Sequence, residues 1–177
     1  MIKRYVAILA IFALPAFIPI SCKKDEVRKD PGAWKYDLVR GNWKQKDLVI
    51  SVDVKLGGQK IPAGTSMIQL APLIGQALGN DAIAEALLCT QHNTYSFNAD
   101  GTYAINGCTA LILPVAGNKG NWKLTVYDAV LQFSPSADTS VPHWINNLTD
   151  STLELALTVS IPGVGDAPLG LILEKQP

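Results

Sequence analysis

The chain is poor in the groups that carry chemistry. Of its 177 residues only 17% are charged, two are histidine and three are cysteine. There is no G-x-S-x-G, no phosphate-binding glycine loop and no H-E-x-x-H, so the familiar nucleophile, nucleotide and zinc-hydrolase signatures are excluded. His92 and His143 lie in different regions, neither with a companion at recognised metal-ligand spacing. Beyond Lys60 the basic residues are Lys119, Lys123 and Lys175, too few for a stripe that would follow a phosphate backbone. An enzyme, a metal protein and a nucleic-acid binder are therefore not expected, and no cofactor is implied. Disorder is equally excluded, because 48% of the residues are hydrophobic.

What is present begins with an address. Lys3 and Arg4 precede the uncharged apolar run Tyr5 to Ile20, which Ser21-Cys22 closes ahead of Lys23-Lys24-Asp25-Glu26. This is the layout of a secretory signal peptide, too short and too abruptly closed for a membrane span. Pro19-Ile20-Ser21-Cys22 resembles a bacterial lipobox, with Pro19 where a leucine is usual. The resemblance implies that residues 1–21 are removed and that Cys22, acylated, becomes the first residue. Several acyl chains on one cysteine anchor stably, each buried methylene contributing roughly 0.8 kcal/mol. The Lys-Lys-Asp-Glu run resembles the signal that sends lipoproteins of some Gram-negative bacteria to the outer face. It implies an outer-membrane lipid anchor with cell-surface exposure, the periplasmic face being the other choice. Residues 22–40 then read as a polar tether, and 41–177 as one domain.

With Cys22 assigned to lipid, Cys89 and Cys108 remain as a pair in an oxidising compartment, where a disulfide is expected. Between them Asn98-Ala99-Asp100-Gly101 is strong hairpin-turn chemistry. A three-residue loop with a glycine bulge sets Phe97 opposite Tyr103 and Tyr95 opposite Ile105, all on one face. The cysteines stand just beyond the two open ends of that hairpin.

The remainder alternates as strands do. Leu48, Ile50, Val52, Val54 and Leu56 form one inward series, and Trp122, Leu124 and Val126 another. Val130 to Phe133 leads to a break at Ser134-Pro135-Ser136, followed by a weaker strand from His143 to Leu148. Leu153, Leu155, Leu157 and Val159 alternate with polar or small residues, and Leu169, Leu171 and Leu173 close the chain. That makes about eight strands, the number at which an antiparallel barrel can hold one small ligand. One segment differs. Residues 66–88 have helical composition, with Pro72 suited to a helix start and Gly79-Asn80 separating two helices. With only Asp81 and Glu85 charged, these helices must cover something apolar. The expected partner is a barrel mouth lined by Leu48, Ile50, Val52, Leu153, Leu155 and Leu157, onto which Ile68, Leu70, Leu73, Ile74, Leu78, Ile83 and Leu87 would pack.

Gly41-Asn42-Trp43 resembles the G-x-W signature of lipocalins, and Gly120-Asn121-Trp122 repeats it. The ordered set from Cys89 through Tyr95-Ser96-Phe97, Asp100-Gly101-Thr102-Tyr103, the second cysteine and Leu148-Thr149-Asp150-Ser151-Thr152-Leu153 is similar to the lipocalin-like domains of bacterial outer-membrane lipoproteins. Two departures stand out: no helix is expected after the last strand, and no arginine is near the end to stack on Trp43, where Lys175 is the nearest cation. The resemblance implies an all-β fold with a short helical insertion, a lipocalin-like eight-stranded antiparallel up-and-down barrel. It also implies binding of a small hydrophobic or amphipathic molecule, for which Leu48, Ile50, Val52, Leu73, Ile83, Tyr95, Leu155 and Leu157 are the candidate contacts. Trp43 and Trp122 read as core. The other reading is a surface interaction module for protein or glycan, with the barrel filled by its own side chains. A monomer is expected in either case. The anchor gives the first test: Cys22→Ala should leave an unprocessed or released protein that takes up no labelled fatty acid, and continued acylation would remove the lipoprotein reading.

Overall fold

The computed structural model describes residues 33–177 apart from 57, 109, 112, 116 and 162–164, so the signal segment and Cys22 lie outside the described residues. A short helix α1 (Ala33–Val39) leads into β1 (Gly41–Ile50). A small hairpin of β2 (Val54–Leu56) and β3 (Gln59–Ile61) follows, then helices α2 (Met67–Leu78) and α3 (Asp81–Cys89) and a 3-10 turn, Thr90–His92. The remaining strands are β4 (Thr94–Phe97), β5 (Thr102–Asn106), β6 (Lys119–Thr125), β7 (Val130–Ser136), β8 (Thr139–Leu148), β9 (Thr152–Ile161) and β10 (Gly165–Lys175). Strands β4 to β10 run as a meander of neighbours, and β1 closes between β10 and β4. The result is a closed, eight-stranded, antiparallel up-and-down barrel, all-β apart from the inserted helices, as the alternation and the resemblance both imply.

Closure rests on alternating leucines. Leu153, Leu155 and Leu157 of β9 stand opposite Leu173, Leu171 and Leu169 of β10, all buried. Leu171 in turn faces Leu48 of β1, and Leu169 faces Ile50. A register shift between Gln45 and Asp47 lets β1 point Trp43 and Gln45 inward before it and Leu48 and Ile50 after it. Without that bulge a strict period of two would turn Leu48 and Ile50 to solvent.

One end of the barrel is sealed by tryptophan. Trp43 is fully buried, donates from Nε1 to the Val39 carbonyl at 2.7 Å, and carries the Lys175 ammonium 5.1 Å from its ring centre. The same Lys175 donates to the Leu38 carbonyl at 2.7 Å, so the last strand, α1 and the tryptophan are tied together. A cation on an aromatic face is worth about 0.5–2 kcal/mol, more as it is desolvated. Gly41, at φ +117°, opens β1 in a backbone region that disfavours side chains. Trp122 donates to the Asn98 carbonyl at 3.2 Å and packs on Tyr36 of α1, whose hydroxyl accepts from the Leu124 amide. Gly120 lies under β7, where a Cβ would meet the Ser134 carbonyl and, at 2.8 Å, the Pro135 Cα. Both G-x-W segments therefore build the same end. Because Ala33–Val39 is part of that seal, these seven residues of the segment read as tether from sequence belong to the packed unit.

The Tyr95–Ile105 and Phe97–Tyr103 pairs form as the turn chemistry implies, with Gly101 at φ +82° and Asp100 accepting from Thr102. Cys89 and Cys108 are bridged, with Cα atoms 5.3 Å apart and 19 residues of separation. Four local expectations need correction. The series through Val52 to Leu56 is not one strand: the chain bends at 51–53, where the Ser51 amide donates to Pro168 and Asp53 accepts from the Ala63 amide. Pro72 lies inside α2, on its exposed side, because Ser66 caps the helix one turn earlier and Met67, Ala71 and Ile74 bury its other face. Strand β7 continues through Ser134-Pro135-Ser136, a register irregularity absorbing the proline, and β8 starts at Thr139. Replacing both bridging cysteines by alanine should lower the unfolding free energy by about 3 kcal/mol, the loop-closure value for a loop of this size, while the sheet circular-dichroism signal persists.

Candidate functional site

The tryptophan-sealed half of the barrel is solid. Phe97 packs edge-on to Trp122 at 5.5 Å and against Phe133 at 5.9 Å, and Tyr103 meets Phe133 at 5.1 Å. Tyr95 and Leu155 belong to this filling, each at most 1% exposed. Tyr95 donates to Gln45 Oε1 at 3.0 Å, Gln45 donates to Thr90, and Thr90 donates to the Leu87 carbonyl, a buried chain that ties the end of α3 to the barrel wall. Burial pushes the Tyr95 hydroxyl well above its ordinary pKa, so it stays neutral and structural.

At the other end a cavity of about 350 Å³ lies between the helices and the barrel rim. Its walls are Leu48 from β1, Met67 and Ile74 from α2, Ile83 and Leu87 from α3, Leu111 and Leu113 from the segment after Cys108, and Val159 and Leu169 from β9 and β10. Among the described residues Asn80 and Ser160 are the polar members of the lining, and no charged side chain belongs to it. Local sequence builds each wall. The Ser66 hydroxyl accepts from the Gln69 amide and donates to Asp47 at 2.6 Å, pinning the start of α2 to β1. Left-handed Gly79 ends α2, and Asn80 caps α3 through the Ala82 amide. The disulfide, together with the Cys108 amide donating to Asn93 Oδ1 at 2.7 Å, draws the following segment across the mouth.

Of the eight side chains expected to meet a ligand, Leu48 and Ile83 line this cavity. Ile50 is buried beside it without lining it, and Leu157 faces a groove in the wall instead. Tyr95 and Leu155 are part of the solid half. Val52 is 48% exposed because β1 has already ended, and Leu73 is 40% exposed because α2 turns Ile74 to the barrel. On a helix, neighbours in sequence lie 100° apart, and the buried stripe of α2 runs through Met67, Ala71, Ile74 and Gly75, which leaves Leu73 outside it. Leu111, Leu113, Val159, Leu169 and Met67 were not among the expected contacts. The phase of the β9 and β10 alternation, carried one step further, points to Val159 and Leu169; no periodic signal marks Leu111 or Leu113.

The barrel wall has a seam. Strands β8 and β9 pair only at Ile145–Leu155, Asn147–Glu154 and Leu148–Leu153. Towards the mouth they part, and His143 Nδ1 reaches the Ala156 carbonyl at 3.1 Å across the gap. A groove of about 520 Å³ overlies the seam, with exposed Trp144 on its rim. His143 is buried against Phe133, and its Nε2 has no hydrogen-bond partner among the described residues. A carbonyl at Nδ1 requires the proton there, so the neutral Nδ1–H tautomer fits. Burial lowers the His143 pKa, outweighing the opposing pull of the Ala156 and Pro114 carbonyls. Among the described residues no group of three His, Cys, Asp or Glu side chains could hold a metal, and no helix is long and apolar enough to cross a membrane.

The depressed pKa has a direction in pH. The unfolded chain takes the proton first, so the contribution of His143 is complete above about pH 6.5 and is lost as pH falls towards the lower folded value. Urea midpoints should therefore drop as pH falls below about 6.5, and His143→Phe should flatten that limb; an unchanged slope would assign it to other groups. No protein-family model matches the chain, and no curated protein matches it.

Proposed function

We propose that this protein is a lipid-anchored, non-enzymatic lipocalin-like lipoprotein that binds a small hydrophobic molecule at the barrel mouth. The supporting observation is the cavity of about 350 Å³, bounded by leucine, isoleucine, valine, methionine and alanine, with Asn80 and Ser160 the only polar side chains among the described residues. Its size and apolar lining fit the sites that enclose small ligands. Among the described residues of the lining there is no nucleophile with a base beside it and no cation for a developing negative charge. The two polar side chains sit where the polar end of an amphipathic molecule would lie. Anchoring through acylated Cys22 to the outer membrane, on either face, belongs to this reading and rests on the lipobox resemblance.

The alternative, a surface interaction module for protein or glycan, draws on the other half of the barrel. There Trp43, Phe97, Phe133, Leu155 and Leu171 fill the interior with the barrel's own side chains, as that reading expects. Native mass spectrometry of gently purified protein separates the two readings, because a carrier retains an apolar adduct. The sharper test fills the cavity. Ala86 lines it from α3, and Ala86→Phe should reduce binding of an apolar fluorescent probe at least tenfold while thermal unfolding remains cooperative. Equal binding by the folded variant would remove the carrier reading.

A further inference from the structure

The sealed end of the barrel carries an apolar patch at the place where the chain comes in. Trp34 of α1 is 56% exposed, Val126 is 55% exposed and Tyr127 is 99% exposed. They belong to one surface: Lys35 donates to the Asp128 carbonyl at 3.1 Å, and Trp34, Lys35, Asp128 and Ala129 share a shallow depression. The β6–β7 turn that presents Val126 and Tyr127 is strained. Val126, Tyr127 and Asp128 all have left-handed backbones, at φ 52°, 54° and 60°. A β-branched residue in that region is an outlier, and glycine or asparagine would adopt the turn more easily. The strain places two large side chains in solvent, where they contribute nothing to the core.

The place of the patch says what covers it. Cys22 precedes Ala33 by eleven residues, which even fully extended reach no more than about 40 Å. Acyl chains on Cys22 would therefore keep the domain within that reach of a bilayer, on a chain that joins the barrel at this end. Tryptophan and tyrosine favour the headgroup level of a membrane, where an apolar ring with one polar edge finds both environments. The nearby lysines are held against carbonyls: Lys35 at Asp128 and Lys175 at Leu38. We propose that the α1 end of the barrel rests on the lipid surface through Trp34, Val126 and Tyr127, so that the mouth cavity faces away from the membrane. This rests on the acylation of Cys22.

The test uses the full-length, processed protein in vesicles of phosphatidylethanolamine and phosphatidylglycerol in which part of the lipid carries bromine on its acyl chains. Intact mass first establishes acylation; if Cys22 carries no lipid, the lipoprotein reading fails and this orientation with it. For the acylated protein, bromolipid should quench tryptophan emission. The quenching should disappear in Trp34→Phe, persist in Trp144→Phe, and weaken severalfold in Val126→Ser with Tyr127→Ser. Trp43 and Trp122 are buried and report that each variant is folded. Quenching that survives Trp34→Phe, or is lost in Trp144→Phe, would show that another face meets the lipid. Absence of quenching in vesicle-bound, acylated protein would overturn the orientation and leave the patch to a protein partner.

Discussion

A single sheet becomes a barrel only if its first and last strands meet, and here that meeting is the pairing of β1 with β10. It runs from Trp43 opposite Lys175 to Ile50 opposite Leu169, interrupted by one bulge. Each feature described above depends on that register. It sets Lys175 over Trp43, which lets the same ammonium hold α1. It faces Leu48 towards Leu171, which closes the solid half. It delivers Ile50 and Asp47 to the rim, where Asp47 receives Ser66 and begins the helical cover. A slip by one residue would expose the leucines of β10, so the hydrophobic pattern and the bulge together leave one closure available.

The two halves of the barrel follow from different economies of side-chain volume. At the sealed end, tryptophan, phenylalanine and tyrosine meet ring to ring and consume the interior. At the mouth, the rim residues are branched aliphatics, and the cover consists of helices rich in alanine. Small side chains let α2 and α3 approach closely, as where Gly75 faces Ala84 with no room for a Cβ between them. They also leave the space beneath unfilled. The cavity is thus the consequence of pairing a wide rim with a thin lid.

Much of this was legible in the sequence, for physical reasons that differ by element. The strands β9 and β10 were readable because their alternation is unbroken and each leucine has one inward choice. The β4–β5 hairpin was readable because its turn residues admit only one register consistent with the aromatic face, and the disulfide because its cysteines flank that hairpin. Val52 misled because it continues the inward phase of Leu48 and Ile50, while β1 ends at Ile50 and no local signal marks that end, so the period of two was extended past the strand. Leu73 misled because α2 has apolar residues on both sides, and only tertiary packing selects Ile74. Leu111 and Leu113 lie in an aperiodic segment whose position is imposed by Cys108 and Asn93. Their place at the cavity could not be read before the fold was known.

The seam between β8 and β9 carries a further consequence. Two strand edges that part from one another expose unpaired amides and carbonyls, the groups by which one sheet recruits a strand from a neighbouring molecule. The chain blunts both edges. Pro142 stands in the parted stretch of β8, and a proline is tolerated in a strand where its missing N–H would have pointed away from the paired neighbour. The absent donor is therefore on the open side, and an incoming strand meets a gap in the ladder. On the facing edge, His143 already occupies the Ala156 carbonyl. The barrel can leave its wall partly unzipped without inviting polymerisation along the opening.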